Sequence, residues 1–361
     1  MMRPTSWGPS FVSEARSRRF PGSHTLGQAQ VSRGRQVRAF TSVIAIVVLL
    51  AACSSSGQPA GSSTVGSAPV PTPAPTAPSG LSATAWFPLQ LRDDEGTRVS
   101  IPAEPRQIVS LTPGTTEILF ALGIGDRVVA TDSASDYPPE AVPLPDVAAF
   151  GSLDAERIVG LRADLVVAGG NGYTPPEGVA QLRSLGIPVL VVYAASVDGV
   201  ADDVELIGRA VGRSAQAAEL AGSLRTEIDA LAGAVRDLAK PRTFYEIDAL
   251  KEIYGPTDHS FLAEMVGLAG GTPITSGSPD NFQFPLERLI AADPEVIVLG
   301  DAAHGVAADQ VAKRPGWSGM TAVRTGVVRV ADDKLITRPG PRLGQGLRSL
   351  ILAIHPEASL P

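Results

Sequence analysis

The sequence predicts an α/β protein of two lobes with central sheets, joined by one long helix. Strand-like and helix-like segments alternate from about residue 107 to the end, one long amphipathic helix falls between them, and one helix–strand segment occurs twice. Alternation of this kind belongs to parallel sheets with helices on their faces.

The long helix is predicted over residues 214–240. Ala217, Leu220, Ala221, Leu224, Ile228, Leu231, Ala232, Val235 and Leu238 recur at three- and four-residue spacing, the period of one helix face. Pro241 cannot continue a helix and stops it sharply. At 1.5 Å per residue it would span about 40 Å. With similar αβ segments on both sides, it reads as a rigid strut between lobes; the alternative is an ordinary long surface helix of one domain.

Before the strut, strands are expected at 107–111, 127–130, 164–168 and 187–192, with helices from Thr115 or Thr116 to Leu122, at 154–161 and at 175–185. Glu117 falls in the first turn of the first of these, where the helix dipole favours a carboxylate. After the strut, strands are expected at 242–247, 295–299 and 326–330, and helices at 260–268, 286–292 and 343–354. Open α/β sheets bind ligands beyond the carboxyl ends of their strands, so the lobes would face each other across a cleft.

With 361 residues, 44% hydrophobic and 19% charged, the chain is long enough for two lobes and a sizeable core. Its net charge of −7 is uneven. Residues 1–52 carry seven arginines against Glu14, a net of +6, which leaves −13 for the remainder. An acidic body argues against nucleic-acid binding.

Those first residues read as a signal peptide with an extended N-terminus. The apolar run at 43–52 is too short to cross a bilayer and fits a signal-peptide core. Leu50-Ala51-Ala52-Cys53 resembles a lipobox, and Cys53 is the only cysteine, so its expected use is lipidation. Residues 53–91 hold no charge after Cys53 and are rich in Ser, Pro, Ala, Gly and Thr, the composition of a flexible tether. An N-terminal lobe at 92–195, a helical connector at 196–240 and a C-terminal lobe at 241–361 complete the organisation. A lipid, a tether and a globular body place the protein on the extracytoplasmic face of the cell membrane.

The repeat is the most informative feature. Glu156-Arg157-Ile158-Val159-Gly160-Leu161-Arg162-Ala163-Asp164-Leu165-Val166-Val167-Ala168-Gly169 aligns without a gap to Glu287-Arg288-Leu289-Ile290-Ala291-Ala292-Asp293-Pro294-Glu295-Val296-Ile297-Val298-Leu299-Gly300. It predicts matched lobes, each with a glutamate at an exposed helix start. Two such carboxylates suit a two-fold symmetric partner bearing arginines, or each complements only its own helix dipole.

The body from about Gln107 to Pro356 resembles the metal-chelate class of substrate-binding proteins that serve ABC importers, the cobalamin, siderophore and haem receptors. The marks are Ile108-Val109-Ser110-Leu111-Thr112-Pro113 with Thr116-Glu117-Ile118-Leu119 and Ala121-Leu122-Gly123, Asp136-Tyr137-Pro138-Pro139-Glu140-Ala141, the two Glu-Arg repeats, Arg314-Pro315-Gly316-Trp317 before Ala322-Val323, and Arg338-Pro339-Gly340-Pro341-Arg342. The resemblance implies two Rossmann-like lobes, a rigid connecting helix, a ligand cleft between the lobes and a small hinge motion. It also implies that Glu156 and Glu287 pair with arginines of an ABC permease dimer, and that Tyr137 lines the cleft. A tryptophan common in cobalamin receptors is Phe150 here, which keeps an aromatic wall.

Chelates and corrins are wide and partly apolar, so aromatic faces with a few charged groups suit them. The candidate wall is Tyr137, Phe150, Tyr254, Phe282 and Phe284, with Arg338 and Arg342 for an anionic edge. Each of these also fits a packing or ion-pair role. His24, His259, His304 and His355 are scattered without paired spacing, so the protein is expected to supply no metal site, although His259 follows a possible cleft loop. No cofactor of its own is expected. No Gly-x-Ser-x-Gly elbow or P-loop occurs in the body.

The expectation is thus a monomeric, lipid-anchored binding protein, not an enzyme. It would capture a metal chelate, cobalamin-like first and ferric siderophore or haem next, for delivery to the permease. The alternatives are a lipid-anchored α/β hydrolase and an adhesion or sensor module.

Overall fold

The computed structural model describes residues 87–361; the expected signal peptide, Cys53 and most of the expected tether lie outside them. The first described element corrects the tether's end, because strand β1 (Leu89–Arg92) pairs antiparallel with β2 (Arg98–Ile101). Asp93 and Asp94 in its turn hold the hairpin to the first lobe. Asp93 pairs with Arg183 at 2.6 Å, and Asp94 accepts the Tyr193 N–H at 2.7 Å.

The first lobe runs β3 (Ile108–Ser110), α1 (Pro113–Ala121), β4 (Val128–Asp132), β5 (Asp146–Ala149), β6 (Ser152–Leu153), α2 (Ala155–Gly160), β7 (Leu165–Gly169), α3 (Pro176–Ser184) and β8 (Val189–Val192). Helix α1 begins earlier than expected. Thr112 is its cap, accepting the Thr115 N–H at 3.2 Å, and Pro113 takes the first helical position, where its missing N–H is not needed. The sheet order is β6-β5-β4-β3-β7-β8, parallel except for β6.

The connector is a helical hairpin, α4 (Val197–Ala210) and α5 (Ser214–Val235). Arg225 of α5 reaches Asp198, Asp202 and Glu205 of α4 at 2.8, 2.6 and 3.0 Å. Gly208 permits the close crossing, since a Cβ there would lie 2.1 Å from that of Ala217. Helix α5 stops at Val235, short of the expected Lys240; at 22 residues it spans about 33 Å. Pro241 bars helix at the residue before it, and Leu238 closes a turn onto Val235 instead.

The second lobe runs β9 (Arg242–Glu246), α6 (Phe261–Leu268), β10 (Thr272–Pro273), α7 (Leu286–Ala292), β11 (Val296–Leu299), α8 (Ala308–Val311), α9 (Thr321–Thr325), β12 (Val328–Val330), α10 (Asp333–Ile336) and α11 (Leu343–Ile354). Its sheet, β10-β9-β11-β12, is wholly parallel. The order β4-β3-β7-β8 in the first lobe is the same: the first strand lies inside, the second on one side, the third and fourth on the other. The lobes are therefore topological repeats.

Strands β7, β8 and β11 are buried along their whole length, as their Val/Ile/Leu runs require in sheets covered on both faces. One core cluster joins Ile108, Leu165 and Leu190 of the first lobe, Ala217, Leu224 and Leu231 of α5, and Tyr245, Val298, Leu347 and Ile351 of the second. The far face of each sheet has its own cluster. Thus α5 is not a strut that holds the lobes apart; its apolar face lies in the core they share.

Candidate functional site

The two repeats superpose in their local chemistry. Glu156 and Glu287 are each the second residue of their helix, α2 and α7, and both are exposed. Ile158 and Leu289 bury the opposite faces. Each helix ends at a non-glycine residue with left-handed backbone, Arg162 at φ 54° and Asp293 at φ 43°. A helix leading into a parallel strand runs back along the sheet, so its first turn lies at the sheet's carboxyl edge. Both glutamates therefore belong to the edge where α/β sheets meet ligands and partners.

The same edge carries the aromatic side chains. Tyr137 lies in the loop after β4, on the cis Tyr137–Pro138 bond. Phe150 is 78% exposed at the β5–β6 turn, its ring edge-on to Tyr173 at 5.5 Å. Tyr173 follows β7 and donates to Asp132 at 3.2 Å, and Tyr193 follows β8 and accepts from Asn171 at 3.1 Å. Gly169 and Gly170 let these loops close in, because a Cβ on either would press on Tyr173 or Tyr193. In the second lobe, Tyr254 and Phe282 are both partly exposed on adjoining segments joined by the Gly255 N–H to the Phe282 carbonyl at 3.0 Å.

Phe284 corrects the expectation. It is 2% exposed and packs edge-on to Phe244 at 5.2 Å, so it is a core residue and not part of an open wall. Tyr173 and Tyr193 join the exposed aromatics beyond the expected set; the signal for them in the sequence is their position directly after strand segments, at carboxyl ends.

Arg338 and Arg342 are also not free cations. Arg342 donates to Glu117 at 2.5 and 2.8 Å, and its guanidinium lies 3.8 Å from the centre of the Tyr137 ring. Arg338 donates to Asp136 at 2.6 Å. Glu117 therefore does not serve the dipole of α1: it lies past the first turn, buried, and faces the other lobe. Asp136 is partly buried, which works against ionisation, yet hydrogen bonds from Arg338 and Lys334 hold its carboxyl down to about 2.

A cavity of about 670 Å³ is lined from both lobes, by Glu117, Phe120, Ala121, Tyr137 and Pro138 on one side and Pro341 and Arg342 on the other. It follows the C-terminal half of α1 and includes Tyr137 but none of the other aromatic candidates. The other aromatic rings gather at the carboxyl edges instead. His259 and His304 are both exposed, His259 in the loop before α6 and His304 at the end of a 3-10 turn after β11. Among the described residues, no group of three or more His, Cys, Asp or Glu side chains is arranged to hold a metal ion.

Two topologically matched lobes with facing carboxyl edges and aromatic rims have the build of a two-lobe binding protein. Residues 108–335 match the periplasmic binding protein family, and the chain belongs to it. An uncharacterized ABC transporter substrate-binding lipoprotein of Bacillus subtilis is 32% identical over 279 residues, covering 76% of this chain and 88% of that one. A cobalamin-binding protein of Halobacterium salinarum is 30% identical over 280 residues, 74% of each chain. Among solved structures, the periplasmic vitamin B12 binding protein of Vibrio cholerae superposes with a TM-score of 0.62 at 27% identity, covering 70% of this chain and 98% of that one. The apo periplasmic haem-binding protein of Roseiflexus sp. RS-1 superposes at 0.64 with 30% identity and the same coverage. The protein is of the ABC substrate-binding type with the two-lobe fold, and these likenesses lend no support to a hydrolase.

Proposed function

We propose that this chain captures a metal chelate, cobalamin-like first and ferric siderophore or haem next, outside the cytoplasm and delivers it to an ABC permease dimer. The observation that carries the reading is the repeat: two exposed glutamates at equivalent helix starts, at the carboxyl edges of two matched sheets. Tyr137, Phe150, Tyr173 and Tyr193 of the first lobe and Tyr254 and Phe282 of the second offer flat apolar faces for a wide, partly apolar ligand. Glu156 and Glu287 serve docking, and lipidation of Cys53 anchors a monomer. Binding and docking complete the task, with no covalent chemistry. Named relatives that bind cobalamin, vitamin B12 and haem support the ligand class.

The test is calorimetric titration of the purified protein with cobalamin, haem and a panel of ferric siderophores. Binding of one of these at micromolar affinity or better, about −8 kcal/mol, supports the reading. No binding to any of them overturns the ligand assignment.

A further inference from the structure

Charged side chains from the two lobes meet in two tiers. In the inner tier Glu117 of α1 accepts two hydrogen bonds from Arg342, the residue that precedes α11. Backbones touch beside it: a Cβ on Gly114 would lie 2.4 Å from the Pro339 carbonyl oxygen. In the outer tier Asp136, in the loop after β4, pairs with Lys334 at 2.5 Å and Arg338 at 2.6 Å. Arg338 also faces Glu117 at 3.8 Å, so it links the tiers.

The tiers differ in access to water. The Glu117 and Arg342 side chains are 2% and 20% exposed and Arg338, which links the tiers, 13%, against 44% for Asp136 and 56% for Lys334, so the Asp136–Lys334 contact is the open end of the array. An exposed ion pair contributes little and is screened by salt. A buried, bidentate carboxylate–guanidinium pair is different, since losing one partner strands the other's charge away from water. The outer contact with Lys334 is therefore the weaker of the two and the Glu117–Arg342 pair the stronger.

We infer that these residues form a two-stage clasp. The Glu117–Arg342 pair is the pivot that keeps the lobes in register, and the Asp136 contacts with Lys334 and Arg338 are the catch that releases when the lobes part. Tyr137 follows Asp136 in the chain and stacks on Arg342, so it stands between catch and pivot. Release of the catch therefore frees one side of the proposed ligand wall. Asp136 and Lys334 act as positioning residues for capture. The clasp gives a reason for Glu117 and for both ends of the Arg338-Pro339-Gly340-Pro341-Arg342 segment.

The inference rests on the two-lobe binding reading, but its test needs no ligand. Amide hydrogen exchange is measured on the purified, unliganded protein at 133–141 and 332–342. In Asp136→Asn both segments should exchange about threefold faster with a fall of only about 2 °C in melting temperature, as for loss of half-exposed contacts. Wild type in 0.5 M salt should approach the same rates, and the variant should change less. Glu117→Gln should instead lower the melting temperature by about 5 °C or more. If that variant fails to fold, Arg342→Lys, which keeps the charge but loses the fork, should give an intermediate loss of melting temperature. Unchanged exchange in Asp136→Asn, or Arg342→Lys matching Asp136→Asn in both readouts, overturns the clasp. A failed ligand titration leaves these outcomes as they stand.

Discussion

Asp164 and Glu295 occupy matching positions in the two repeats and perform the same task. Asp164 accepts the backbone N–H groups of Arg106 and Gln107 at 2.8 and 2.9 Å, just before β3. Glu295 accepts the N–H of Arg242 at 3.0 Å, at the start of β9. Each carboxylate therefore sets the register of the inner strand of its sheet against the next one. Asp164→Ala should destabilise the protein by about 1–2 kcal/mol, and Glu295→Ala by about half that, because it accepts one backbone N–H where Asp164 accepts two. Urea denaturation of the two variants checks both values.

Docking and binding should separate. Glu156→Lys with Glu287→Lys should abolish ligand uptake by cells while ligand affinity stays within about twofold, since exposed charges away from a ligand change it little. Uptake of labelled ligand and calorimetry on the same variant decide this. An uptake rate equal to wild type would remove the docking role.

The buried acids of the second lobe make stability depend on pH. Asp301 is buried and neither carboxylate oxygen has a hydrogen-bond partner among the described residues. Burial also pushes neighbouring Glu246 up to about 7, against the hydrogen bonds from Arg314 that favour its charged form. A carboxyl raised above its unfolded value gives stability that is full below the unfolded pKa and is lost as pH rises through the folded one. The melting temperature should therefore fall between about pH 4.5 and pH 7. Asp301→Asn should raise it at pH 8 and change it little at pH 5, because the amide resembles the neutral acid. A melting curve at each pH tests the pattern.

Exposed and buried aromatics should fail differently. Tyr193→Ala or Phe150→Ala should weaken ligand binding about fivefold to tenfold, the worth of one stacked ring, with stability nearly unchanged. Phe284→Ala should lower stability by about 3–5 kcal/mol, as for a ring removed from a packed core. Calorimetric titration and denaturation on the three variants separate the roles.

The anchor has a direct test outside the described residues. Cys53→Ser should move the protein from the membrane fraction to the medium or soluble fraction, read by immunoblot. Retention on membranes would remove the lipid assignment.

Much of this architecture was legible from the chain. Helix α7 spans the expected residues and α11 does so as well, since apolar spacing and Pro or Gly punctuation act over a few residues. The repeat announced two matched lobes because identical local patterns bury identical faces. The sequence by itself determined these elements, their order and the exposed glutamate on each repeat. Only the tertiary structure decided that Phe282 is exposed and Phe284 buried on one short segment, and that Arg342 meets Glu117 instead of a ligand. Local spacing encodes a helix or a strand, whereas the partner of a charge or a ring is whichever group the closed fold brings within reach, often from the far end of the chain.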